Sequence, residues 1–168
     1  MNRAKSIAFT GLCVALALIL AYVELLLPPL SAAIPGIKMG LPNVIIVFLL
    51  YRRSARSAAL VSLLRILLVG MLFGNAMSLM YSLAGGVLSL AVMILLRRLD
   101  RLSAVGVSVA GAVAHNVGQI LAAMVLLDTS ELAYYLVVLV ITGTVAGVLI
   151  GLCGALLIRR IPESLLKS

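Results

Sequence analysis

The sequence predicts an all-α integral membrane fold, a six-transmembrane-helix bundle with N- and C-termini cytoplasmic, and three observations predict it. Hydrophobic residues make up 64% of the chain against 11% charged, with no Trp and a mean hydropathy of +1.29. A soluble chain of 168 residues cannot bury that fraction. Apolar stretches approaching the roughly 20 residues needed to cross a hydrocarbon core recur along its length. Basic residues fall on alternate links between them, as they do where Lys and Arg are held on the cytoplasmic side of short loops.

The first span covers about 6–27 and follows Arg3 and Lys5. Its apolar run is longer than the ~7–15 residue core of a signal peptide, so it is read as a retained span. The second, 39–51, is short. Pro42 near its start, with Pro28-Pro29 and Pro35-Gly36 before it, predicts a re-entrant or partly unwound entry. The third covers 57–73, the fourth 75–96, the fifth 103–127 and the sixth 133–158. No linker divides them, and residues 1–168 are read as a single transmembrane domain.

Arg3 and Lys5, then Arg52, Arg53 and Arg56, then Arg97, Arg98 and Arg101, and finally Arg159, Arg160 and Lys167 share one membrane face. The opposite face holds Glu24, Lys38, Asp128 and Glu131, and the link Phe73-Gly74-Asn75 carries no charge. The net charge of +8 is therefore a topology signal rather than a nucleic-acid footprint, with membrane lipids of anionic headgroup as the natural neighbours of the basic clusters. The plasma (inner) membrane is the expected location. Cys13 and Cys153 fall in the cytoplasmic halves of their spans, where disulfides are rare, and read as small packing residues.

Small residues recur at helical spacing in three spans: Ala4, Ala8, Gly11 and Ala15; Ala110, Ala114, Gly118 and Ala122; and Gly143, Gly147, Gly151 and Ala155. Such stripes let backbones approach closely, which supplies packing that hydrophobicity cannot supply inside lipid. Internal packing suits the sixth span best. The first stripe fits internal packing and the docking of a partner about equally.

Polar residues at membrane depth are functional candidates, because they need a protein partner, a cavity or a ligand. Arg65 interrupts the apolar run of the third span near its middle. It is either a structural anchor paired with carbonyls or Glu24, or a ligand group meeting an anionic substrate. In the fifth span His115 and Gln119 share a helix face, while Asn116 is turned about 100 degrees away. One face can bind ligand while the other knits helices. Asn43 and Asn75 open the second and fourth spans, where capping is the favoured role over lining a cavity mouth.

Several chemistries lack their residues. There is no nucleotide-binding G-x-x-x-x-G-K-[ST], so ATP-driven transport would need another subunit. One His and no clustered Cys or carboxylates offer no metal site, and no nucleophile stands with a base and an orienting acid. Prenyl-chain elongation needs carboxylate clusters to hold magnesium, yet the only aspartates, Asp100 and Asp128, are expected on opposite faces. The chain is read as a non-enzyme that needs no cofactor.

The segments Pro35-Gly36-Ile37-Lys38-Met39-Gly40-Leu41-Pro42-Asn43, Phe73-Gly74-Asn75 with Ser82-Leu83-Ala84-Gly85-Gly86, and Gly106 through Gln119 together resemble the Gx transporter family, also labelled heptaprenyl diphosphate synthase component I. The resemblance spans nearly the whole chain. It departs at Pro42, where a small residue such as alanine is expected. That family is similar to the substrate-binding S components of energy-coupling factor transporters, which capture vitamins from the outer side. The resemblance implies an S-component-like bundle that binds a small isoprenoid, quinone- or vitamin-like ligand. It also implies, as partners, a transmembrane coupling subunit and ATPases, met by the stripe Ala4, Ala8, Gly11 and Ala15. The expected ligand groups are Arg65, His115, Asn116 and Gln119, with Asn75, Asn43, Glu24 and the Lys38 loop at the mouth. The alternative is a non-catalytic membrane scaffold of a prenyl-quinone biosynthesis or electron-transfer assembly.

Overall fold

The computed structural model describes residues 3–27 and 39–162. Six α-helices run in order: α1 (Arg3–Leu26), α2 (Asn43–Arg52), α3 (Ala55–Phe73), α4 (Ala76–Leu99), α5 (Ala104–Leu127) and α6 (Tyr135–Arg160), the last preceded by a 3-10 turn, Glu131–Tyr134. All except α2 are long and apolar enough to cross a membrane. The expected second span is shorter still than the sequence suggested, because residues 39–42 precede the helix, the last two of them in a turn.

Side chains fix the starts of α3, α4 and α5. Ser54 Oγ accepts from the Ser57 N–H at 3.1 Å, Asn75 Oδ1 from the Ser78 N–H at 2.8 Å, and Ser103 Oγ from the Gly106 N–H at 3.3 Å. Each satisfies an amide that the first turn leaves without a helical partner. At the other ends of α4 and α5, Asp100 and Asp128 adopt left-handed backbone with φ of 50° and 49°. Aspartate tolerates that region better than most residues, so both helices stop abruptly.

Helix α2 differs in kind from the rest. Its residues Ile45, Ile46, Val47, Phe48, Leu49 and Leu50 are all buried, leaving no polar face. A helix apolar all round belongs inside a bundle, and α2 is packed among α1, α3, α5 and α6. Cys13, Ala17, Ala58, Val61, Met93 and Val107 complete the core around it. Pro42 is accommodated as the buried N-cap with φ −59°, where a missing N–H costs no helical bond.

Ten residues at 1.5 Å rise make α2 only about 15 Å long. It fills the bundle axis at one end, which is the arginine-rich end. There Arg52 donates from Nε to the Ile158 carbonyl at 3.0 Å, with a second bond from its terminal nitrogen to the same oxygen. Arg53 donates to Ser6 Oγ at 3.0 Å and lies 5.3 Å from the centre of the Phe9 ring. Arg97 sits 5.5 Å from the centre of the Tyr51 ring. These contacts tie α2 and the link after it to α1, α4 and α6.

The small-residue stripes have different fates. A Cβ on Gly147 would lie 2.6 Å from Val109 Cα, and one on Gly118 would lie 2.8 Å from the Ala84 carbonyl oxygen. Both glycines therefore permit backbone contact, of α6 with α5 and of α5 with α4. The stripe on α1 faces outward instead: Ala4, Ala8, Gly11 and Ala15 are exposed, and a Cβ on Gly11 would meet nothing within 4 Å. Cys13, Ala17 and Ala21 form the buried edge of that helix. Cys13 is thus a packing residue, whereas Cys153 is exposed, because the buried line of α6 runs through Gly147, Ile150, Gly151 and Gly154.

Candidate functional site

Among the described residues no helix continues the line of α2 past its first turn, and a cavity lies there. It encloses about 970 Å³ between atoms, its open mouth included. The far ends of α1, α3 and α4 and the middles of α5 and α6 surround it, and Phe73 of its lining is in ring contact with Tyr22 at 5.6 Å.

The turn before α2 supplies the floor. Gly40 takes φ +75°, a conformation that favours glycine, and its N–H donates to Glu24 Oε1 on α1. The N–H groups of Asn43, Val44 and Ile45 are met by the carbonyls of Gly40, Leu41 and Pro42. With its amides satisfied in this way, α2 needs no side-chain cap. Asn43 accordingly caps nothing, contrary to the favoured sequence expectation, and its side chain lines the cavity. A smaller pocket lies against the same Asn43, with Met39, Ser89 and Ser108 also on its wall.

Arg65 reaches the cavity from α3. Its Nε is buried without a hydrogen-bond partner, and the Glu24 carboxylate acts on the guanidinium electrostatically. Glu24 and Arg65 are the charged side chains among the described residues of the lining. Opposite them, α5 presents His115 and Gln119, which α4 can approach because Gly85 lacks a side chain; a Cβ there would lie 2.7 Å from Gln119 Cγ and 3.1 Å from His115 Cε1. Asn116 also touches the cavity, but its Nδ2 donates to the Leu139 carbonyl of α6 at 2.6 Å. A Cβ on Gly143 would occupy that amide's position, so the glycine makes room for the cross-helix bond.

The fold therefore brings Glu24, Asn43, Arg65, His115, Asn116 and Gln119 to one cavity. Asn75 stays outside it as the cap of α4, and Lys38 lies outside the described residues. Ser78 and Ser82 were not singled out from the sequence, yet both line the wall. Their spacing of four residues on one face of α4, in an otherwise apolar stretch, is the signal that could have found them. Chemically the site offers amides, hydroxyls, an imidazole and one opposed pair of charges, beside apolar walls such as Ile66 and Val69. Among the described residues no group of three His, Cys, Asp or Glu is placed to hold a metal ion.

Comparison with known proteins gives one family. The model described as heptaprenyl diphosphate synthase component I matches residues 13–157, which takes in every residue of the cavity lining. No curated protein and no solved structure gives a significant match.

Proposed function

The chain belongs to the heptaprenyl diphosphate synthase component I family, and from that premise we propose that it is the substrate-binding, S-component-like membrane subunit of an energy-coupling factor type uptake transporter. The observation that carries this reading is the cavity, hollowed beyond α2 and lined by the polar residues of α1, α3 and α5. In this reading the arginine-rich end faces the cytoplasm with both termini, and the cavity opens on the outer side of the plasma membrane. The ligand is small and isoprenoid, quinone- or vitamin-like. Arg65 orients its acceptor group and His115 and Gln119 fix its polar edge, while Asn116 holds α5 to α6 beside them. The exposed stripe Ala4, Ala8, Gly11 and Ala15 supplies the face for a transmembrane coupling subunit that carries the ATPases.

Copurification tests the site. The purified parent is expected to retain a small molecule, detectable by mass spectrometry, that Arg65→Ala and His115→Ala lose. Retention and transport of the same compound by both variants would show that the site is wrongly assigned.

The family's description as a component of a synthase favours a second reading, a non-catalytic membrane scaffold in a prenyl-quinone or electron-transfer assembly. Affinity capture separates the two. Recovery of coupling-factor ATPases supports transport, and recovery only of quinone-synthesis or flavin-bearing partners supports the scaffold.

A further inference from the structure

Resting on the ligand-binding reading, we propose that the cavity selects a guest of no net charge: an amphipathic molecule whose neutral hydrogen-bonding edge meets α5 and whose apolar body lies along α3. Among the described residues, the lining balances its own charges. Glu24 and Arg65 face the same space, and each is the other's electrostatic counterpart. Glu24 is held in place by a second contact, the N–H of Gly40 at the head of α2. One carboxylate thus opposes both the guanidinium and the positive end of the short helix.

An anionic guest would have to compete with Glu24 for Arg65 and would stand beside a like charge. A cationic guest would meet the reverse problem at Arg65. Both penalties are severe where water is scarce, because charge interactions strengthen and an uncompensated charge loses its hydration. Among the described residues the other polar side chains of the lining are the His115 imidazole and the uncharged Asn43, Ser78, Ser82, Asn116 and Gln119. The buried, unpartnered Nε of Arg65 is then matched by a carbonyl-type oxygen, which accepts the N–H without adding charge. Ile66 and Val69, on the same helix as Arg65, give the guest's apolar body its wall.

The test uses three probes of one shape: 2-naphthamide, 2-naphthoate and 2-naphthylmethylammonium. The full chain is purified in detergent, and because it has no Trp, naphthyl fluorescence reports binding over a Tyr background only. The parent is expected to bind the amide at least about tenfold more tightly than either ion. Glu24→Gln, which keeps the shape and removes the negative charge, is expected to reverse the order in favour of 2-naphthoate. The double variant Glu24→Gln with Arg65→Gln is expected to restore preference for the amide. Preference of the parent for either ion, or binding of none of the three, overturns the proposal. Should Glu24→Gln fail to fold, the order measured on the parent still decides. Failure here is distinguishable from failure of the uptake reading: a reversed order together with loss of the copurified compound in His115→Ala leaves the site in place and removes only its charge rule.

Discussion

Asn43 and Asn75 are the same residue type near the first turn of a helix, yet only Asn75 caps one. Sequence could not separate them, because the difference lies in Gly40 and Pro42, whose turn satisfies the α2 amides first. Asn75→Ala should therefore cost about 1 kcal/mol of stability, read as a lowered midpoint in thermal unfolding in detergent. Asn43→Ala should leave the midpoint nearly unchanged while altering ligand retention. Asn116→Ala removes the bond to the Leu139 carbonyl and should cost about 0.5–2 kcal/mol by the same measurement. An interaction of Arg65 with Glu24 was one of the readings open from the sequence, and the structure gives an electrostatic one. Distance along the chain hid it, since 41 positions separate the two residues and only the placement of α1 beside α3 brings them to one cavity.

Periodicity alone made the stripes visible on the helices, but it could not say which of them was covered. On α5 and α6 they are: Gly118 and Gly147 meet backbone, which cannot yield to a methyl group as a flexible side chain can. Gly147→Ala and Gly118→Ala should each destabilise the bundle by roughly 1–3 kcal/mol, whereas Gly11→Ala should not, as thermal unfolding of the three variants will show. Gly11→Leu provides the complementary measurement. It should preserve the fold, because nothing lies within 4 Å of the added Cβ, and it should abolish capture of a coupling subunit if that face is the docking site. Helix α2 was legible as short and apolar, with an irregular entry marked by proline. Its burial on every side follows from the neighbours it acquires, which no local pattern contains.

For the whole molecule, composition and charge alternation were sufficient to read an all-helical bundle with helices of membrane-spanning length. Orientation is a separate matter, and it yields a direct prediction. With Cys13 and Cys153 replaced by Ala, Ser103→Cys should react with an impermeant maleimide only after the membrane is opened, and Thr129→Cys should react in intact cells. The opposite pattern would reverse the cavity's proposed exposure. The cavity itself was not legible, since among the described residues it depends on how short α2 is and on the glycines that let α4 approach α5. That arrangement has a consequence for traffic. A molecule resting in the cavity has, along the axis toward the arginine-rich end, a stopper of six buried residues from Ile45 to Leu50, anchored below by Arg52 on α6. Under the proposed uptake reading, delivery to that side would need either a lateral parting of the helices or a reorientation of the whole body in the bilayer, because the short helix stands where a conduit would run.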